Sequence, residues 1–133
     1  MRYLLDTCVL SDFVRGHPAT LVHIRDTPPP EVAVSTITEM EIAYGLRLNP
    51  ALSRRLKTVI DAFLSAVTLV SYDSAAARAT SDIRASLKRR GRPIGAYDAL
   101  IAGTAVAHDL TLVTSNLREF AQVEKLRLED WRR

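Results

Sequence analysis

Cysteine is nearly absent from the sequence: Cys8 stands alone among 133 residues, so no internal disulfide framework can hold the chain. Histidine is scarce as well. His17, His23 and His108 have no spacing that suits a metal site built on nitrogen and sulfur, and they read as surface or packing residues. No apolar run approaches the roughly 20 residues a bilayer-crossing helix needs, which argues against a membrane role. The chain begins Met-Arg-Tyr and reaches Asp6 before a signal-peptide core could form, so the expected location is cytoplasmic. Internal repeats are missing too.

What remains is a chain that is 47% hydrophobic, long enough to bury one sizeable core and too short for two, which predicts a single domain over 1–133. Lys and Arg number 18 against 15 acids, with a net charge of +3 and a sequence pI near 9.4. That balance suits an anionic partner.

Short apolar runs rich in β-formers alternate with helical patterns. The runs are "RYLL", "VAVS" at 32–35, "VTLV" at 67–70 and "LTLVT" at 110–114. Over 51–67, Leu52, Leu56, Val59, Ile60 and Phe63 recur at helical spacing, with Arg54, Arg55, Lys57 and Asp61 on the other face. Ser74 to Arg90 reads as a further helix, stopped by Gly91 and Pro93. Pro28, Pro29 and Pro30 mark a loop before the second strand. Strands alternating with helices imply parallel crossovers, hence an α/β fold with helices on both faces of the sheet. In such folds ligands collect beyond the carboxyl ends of the strands.

Asp6 stands at one of those ends. Alone it could be a helix cap for a segment starting at Thr7. In "TITEMEIAYG", Thr36 followed by Glu39 matches a capping box, and Glu41 falls within an apolar stripe of Ile37, Met40, Tyr44 and Leu48. A carboxylate on a buried stripe needs an ion pair or a bound cation. Asp98 opens a nearly all-apolar helix running to Ala107, where an acid can also cap free N–H groups. Ser115 and Asn116 follow the strand "LTLVT" and could form an ordinary turn. Convergence changes the weighting, because three carboxylates sharing a pocket repel unless a cation neutralises them. All-oxygen donors suit Mg²⁺ or Mn²⁺ with waters completing the shell. Cys8 is most simply a small buried hydrophobe. An aspartyl phosphotransferase on a similar sheet would want a second acid two residues after the first, where Cys8 stands instead.

"LLDTCVLSDF", "STITEMEIAYG", "GRPIGAYDALIAGTAVAHDLTLVTSNLREF" and the ending "LRLEDW" together resemble the PIN-domain ribonucleases, specifically the VapC-type toxins of bacterial toxin–antitoxin pairs. The resemblance implies a three-layer α/β/α fold with a parallel five-strand sheet, and Mg²⁺-dependent endoribonuclease activity in which Mn²⁺ can substitute. It also implies a homodimer and a VapB-type antitoxin that blocks the site and through which the complex binds operator DNA. Carried over by position, it implies Asp6, Glu41 and Asp98 as the acidic metal centre. Many members have a fourth acid where this chain has Asn116, and Glu119 in "NLREF" could supply a nearby carboxylate. Asn116, Thr7 and Ser115 would position the scissile phosphate or metal waters by hydrogen bonds. The basic stretch with Lys88, Arg89, Arg90 and Arg92 is either a solvated helix end or a contact for RNA phosphates. A binding module that merely keeps the fold would have lost the central acids, and all three are present.

Overall fold

The computed structural model describes all residues, Met1–Arg133. Five parallel strands form one sheet: β1 (Tyr3–Leu5), β2 (Val32–Ser35), β3 (Thr68–Val70), β4 (Thr111–Val113) and β5 (Leu128–Glu129), in the order β3-β2-β1-β4-β5. Leu4 pairs in register with Ala33 on one side and with Leu112 on the other. The helices are α1 (Thr7–Val14), α2 (Pro18–Asp26), α3 (Thr36–Leu48), α4 (Pro50–Ala66), α5 (Ser74–Arg89), α6 (Ala96–Ala107) and the single turn α7 (Leu117–Phe120).

Successive side chains on a strand point to opposite faces, and a parallel sheet covered on both sides reads as an unbroken apolar run. That is why "YLL" and "VAV" show no polar alternation. Leu4, Ala33 and Leu112 enter a core with Ile83 and Leu87 of α5, Ile101, Ala102 and Ala105 of α6, and Phe120. Tyr3, Leu5, Val32, Val34 and Val113 enter the other, with Val9 and Leu10 of α1 and Trp131. Phe63 and Leu64 of α4 pack against this second core. The result is the expected α/β/α layering. Each fully buried Leu or Val contributes roughly 1.5–3 kcal/mol, so the central strands are the most firmly held part of the chain.

Helices α5 and α6 run antiparallel, with Gly103 against Thr80 and His108 against Asp73 (Nε2 to Oδ2, 3.3 Å). A Cβ at Gly103 would lie 1.9 Å from Thr80 Oγ1 and 2.9 Å from its backbone nitrogen, so glycine alone permits the approach. This hairpin carries the start of α6, and Asp98 with it.

Several sequence expectations need correction here. Ser35, not Thr36, caps α3, accepting from Thr38 N at 3.1 Å, and the Thr36 hydroxyl instead accepts from Tyr72 N at 3.2 Å. The proposed buried stripe of α3 faces outward: Met40, Tyr44 and Leu48 are 41%, 60% and 67% exposed, and only Ile37 packs on the core. Val59 on α4 is likewise exposed. Periodicity identified a real stripe but could not say that nothing in this chain covers it. Cys8 is exposed, because the face of α1 that enters the core is set by Val9 and Leu10. Pro29–Glu31 forms a short 3-10 turn within the expected loop. The fifth strand is only two residues long and has no periodicity to reveal it.

Candidate active site

Asp6 leaves β1 as the N-cap of α1, its Oδ1 accepting from Val9 N at 3.0 Å. The capping and pocket roles coexist: the same carboxyl is 3% exposed at the carboxyl edge of the sheet. Its own amide donates to Val113 O at 3.1 Å, which fixes it between β1 and β4. Burial is the largest influence on its proton affinity, opposed by hydrogen bonds from the Thr114 side chain and the Val9 and Cys8 amides, and the net effect pushes its pKa up to about 6.

Asp98 lies in the first turn of α6, yet the cap position belongs to Gly95, with no side-chain cap bond. Helix capping therefore does not account for it. Its pKa is also pushed up to about 6, first by burial and then by the charge and hydrogen bond of Glu119, followed by Asp6 and Glu41. The residues brought together are thus Asp6, Glu41, Asp98 and Glu119, drawn from four separate segments.

Glu41 is half-buried, and its Oε1 accepts from Thr7 Oγ1 at 2.8 Å. Thr7 also reaches Thr38 Oγ1 at 3.4 Å, and Ser35 donates to the same Thr38 hydroxyl at 3.3 Å. This hydroxyl chain ties the ends of β1 and β2 to the acid on α3. Glu119 accepts from Gly95 N at 2.8 Å through Oε1 and from Asn116 Nδ2 through Oε2. Asn116 therefore orients the Glu119 carboxylate. Ser115 is half-buried beside it.

Sequence reading missed two buried hydroxyls, Thr38 and Thr114, both at 0% exposure. Thr114 accepts from Asn116 N at 2.9 Å and acts on Asp6 to lower its pKa. Thr114 directly follows β4 and Thr38 lies three residues beyond the end of β2, which was the available signal. Lys88, Arg89, Arg90 and Arg92 are exposed around the end of α5, and Arg90 donates to the Gln122 carbonyl. His17 caps α2 and His23 stacks on Trp131 with ring centroids 5.3 Å apart, in keeping with packing roles.

None of the four pocket acids is in a salt bridge. Nor do three His, Cys, Asp or Glu side chains close into a ready-made metal cage. The donor set fits a hard cation that keeps most of its waters, since Mg²⁺ is commonly held by one or two carboxylates and the substrate's phosphate. It does not fit zinc, which wants a closed tetrahedron of nitrogen and sulfur.

Comparison with known proteins gives a consistent picture. The family described as PIN domain matches residues 3–126. The tRNA(fMet)-specific endonuclease VapC of Shigella flexneri is 38% identical over 131 residues, covering 98% of both chains. Ribonuclease VapC2 of Haemophilus influenzae is 34% identical over 131 residues, again covering 98% of each. Among solved structures, the DNA-bound VapBC of Salmonella typhimurium contains a chain similar at a TM-score of 0.90 and 35% identity, covering 98% of each. VapBC2 of Rickettsia felis, bound to a promoter DNA fragment, gives 0.88 and 28%, covering 98% of this chain and 99% of that one.

Proposed function

The chain belongs to the PIN-domain family, among its VapC ribonucleases, and from that membership and the acid pocket we propose that it is a divalent-metal-dependent endoribonuclease and the toxin of a VapBC-type pair. One observation carries the proposal. Two carboxyls from distant segments are both pushed up to about 6 in a pocket that contains no cationic side chain paired with them. Burial, the largest cause for both acids, leaves them short of stabilisation for their charged forms, and a bound cation supplies it.

Asp6 and Asp98 are the residues that hold the metal, Mg²⁺ or Mn²⁺, with Glu41 adjoining. The metal's contribution when bound is to lower the pKa of water and to neutralise charge building on the phosphoryl oxygens. Glu41 is fixed through Oε1 by Thr7, which leaves Oε2 to orient the attacking water and take its proton. Ser115, Asn116 and Thr7 line the rim, where they hydrogen-bond the scissile phosphate or the metal's waters, and Glu119 accepts from the Asn116 amide. Apart from Cys8, an exposed residue whose thiol is still pushed up by partial desolvation and by Asp6, Asp98 and Asp12, no side chain at the pocket is a candidate covalent nucleophile, and a neutral thiol is a poor one.

The partner reading rests on surfaces that this chain leaves uncovered. An apolar groove between α1, α3 and α4, lined by Leu10, Phe13, Ile42, Leu52, Ile60 and Phe63, is the seat for a VapB-type antitoxin, through which the complex reaches operator DNA. The outward stripe of Met40, Tyr44 and Leu48 is the face for a homodimer. Because the Shigella relative is named for tRNA(fMet), that RNA is the first substrate to try. Cleavage is expected with Mg²⁺ or Mn²⁺ and lost in excess EDTA, with mapping of new ends in total RNA identifying the target. Cleavage that persists in chelator, after contaminating nuclease is excluded, overturns the metal mechanism. Expression alone is expected to arrest growth, and co-expression of the neighbouring small open reading frame to relieve it.

A further inference from the structure

An acid pocket repels the polyanion it is meant to cut, so a ribonuclease of this kind needs fixed positive charge at the rim. The carboxyl-terminal tail supplies one. Trp131 is 1% exposed, packed edge-on against Tyr3 and stacked on His23, and its carbonyl accepts from Thr20 Oγ1 at 3.3 Å. That anchor fixes the backbone of the next residue, whose own amide donates to Asp130 Oδ1 at 2.9 Å. The guanidinium of Arg132 then grips Asp12 through both ends, Nε to Oδ2 at 2.7 Å and Nη2 to Oδ1 at 2.9 Å.

The two partners are unequally exposed. The Asp12 side chain is 8% exposed and that of Arg132 is 50% exposed. Asp12 uses one N–H on each of two nitrogens, so of the five guanidinium donors three remain free, and the group faces water. Its position relative to the pocket follows from α1. Asp6 caps the start of α1 and Asp12 sits in its last turn, so the guanidinium that Asp12 holds stands roughly 9 Å along the helix axis from the first pocket acid. Arg15 also acts on Asp12, so two guanidiniums stand against one buried carboxylate at this end of α1.

We propose that Arg132, held rigid by Asp12, is the residue that receives an RNA phosphate next to the scissile one and so sets the strand across the acid pocket. The inference rests on the ribonuclease reading above. Arginine suits the task because its planar fork can hold a carboxylate on one edge and a phosphate on another. Rigidity matters as much as charge, since a pre-fixed side chain loses little freedom when RNA arrives.

The test uses labelled bulk tRNA and an unstructured RNA oligonucleotide with the full-length protein, comparing the parent with Arg132→Gln, Arg132→Lys and the double variant Asp12→Asn/Arg132→Gln. The double variant replaces the ion pair by an amide pair and keeps Asp12's site from holding an unpaired buried charge. Binding is measured in EDTA across a range of salt, melting is followed in parallel, and KM and kcat are measured in Mg²⁺. Both glutamine variants are expected to bind about tenfold more weakly, the size of one lost charge-assisted contact. The dependence of log affinity on log salt should flatten by roughly 0.7 for the oligonucleotide. KM should rise with kcat nearly kept, and Arg132→Lys should recover part of the affinity. If the single glutamine variant melts early, the double variant decides. Variants that stay folded and bind RNA with parental affinity and salt slope overturn the proposal and leave Arg132 a clasp for the tail. Unchanged RNA binding with lost antitoxin binding overturns it too, assigning the arginine to the protein partner. Should the parent itself neither bind nor cut RNA, the ribonuclease reading fails first and takes this inference with it.

Discussion

Asp6 and Asp12 stand at opposite ends of α1, and both are nearly out of water, at 3% and 5% exposure. Burial pushes Asp6 up to about 6, whereas the hydrogen bonds from Arg132 hold Asp12 below the usual carboxylate range. The difference is a built-in counter-charge. Where the chain supplies its own cation, a buried acid becomes a fixed part of the structure. Where it leaves the cation out, the same kind of acid remains a site for something that must come from solution.

The largest effect expected from breaking this contrast falls on activity. Asp6→Asn keeps an oxygen for Val9 N, and Asn caps helices about as well as Asp, so the fold should survive. Asp98→Asn removes no cap bond. Each loses part of the several kcal/mol of charge stabilisation a bound metal offers, so cleavage should fall on the order of 100-fold or more at limiting Mg²⁺. Melting of the metal-free variants should match or exceed the parent. Near-parental cleavage by both would reduce these acids to structural groups.

Next in size is the pH dependence of stability. In the folded, metal-free protein Asp6 keeps its proton to about pH 6, while in the unfolded chain it loses it near pH 4. The folded state therefore binds the extra proton across that window, and stability falls as pH rises through it, by up to about 3 kcal/mol. Asp98 acts in the same direction with a smaller effect, being better solvated. Asp12 acts oppositely: its contribution is present above the ordinary carboxylate pKa and is lost as pH drops through its lowered value. Urea midpoints from pH 4 to 7.5 in EDTA, parent minus Asp6→Asn, should show the decline, and Mg²⁺ should stabilise the parent more at pH 7 than at pH 5. A difference curve that is flat or rises with pH contradicts the assignment.

Much of this was legible in the sequence, for physical reasons that differ by element. Strands β1, β2 and β4 announced themselves as short apolar runs, as did the largely exposed edge strand β3, and α6 as a helix with little polar surface. Asp6 and Asp98 alone read as well as helix caps, and Glu41 was singled out by a stripe that faces outward, so the pocket acids were named by their convergence and by the family resemblance. Other features depended on tertiary contacts that no periodicity encodes. The stripe on α3 was found but assigned to the core, since an apolar face looks the same whether it is covered by its own chain or left for another. Cys8 was misplaced because a helix of only two turns leaves its phase to the packing of Val9 and Leu10. The Asp12–Arg132 pair joins residues far apart in the chain, which is why sequence reading passed over both. Glu119 was named only as a nearby carboxylate, and it is the strongest charge acting on Asp98.

Glu119 also offers the smallest test, because it asks whether the pocket's fourth acid is a ligand or a neighbour. Its two oxygens are occupied by Gly95 N and Asn116 Nδ2, an arrangement that orients the carboxylate toward its own loop. Glu119→Gln keeps an acceptor for Gly95 N, and the Asn116 amide can turn to present its oxygen to the new NH₂ group. The local geometry should therefore persist while one negative charge beside Asp98 disappears. With that charge and its hydrogen bond gone, the Asp98 pKa should move down toward the ordinary carboxylate range in an NMR titration of the metal-free protein. Cleavage in saturating Mg²⁺ should change by less than about tenfold, because the acids proposed to hold the metal are intact. A loss as large as that of Asp98→Asn would make Glu119 a ligand in its own right, and an unmoved Asp98 titration would show that burial alone keeps that proton in place.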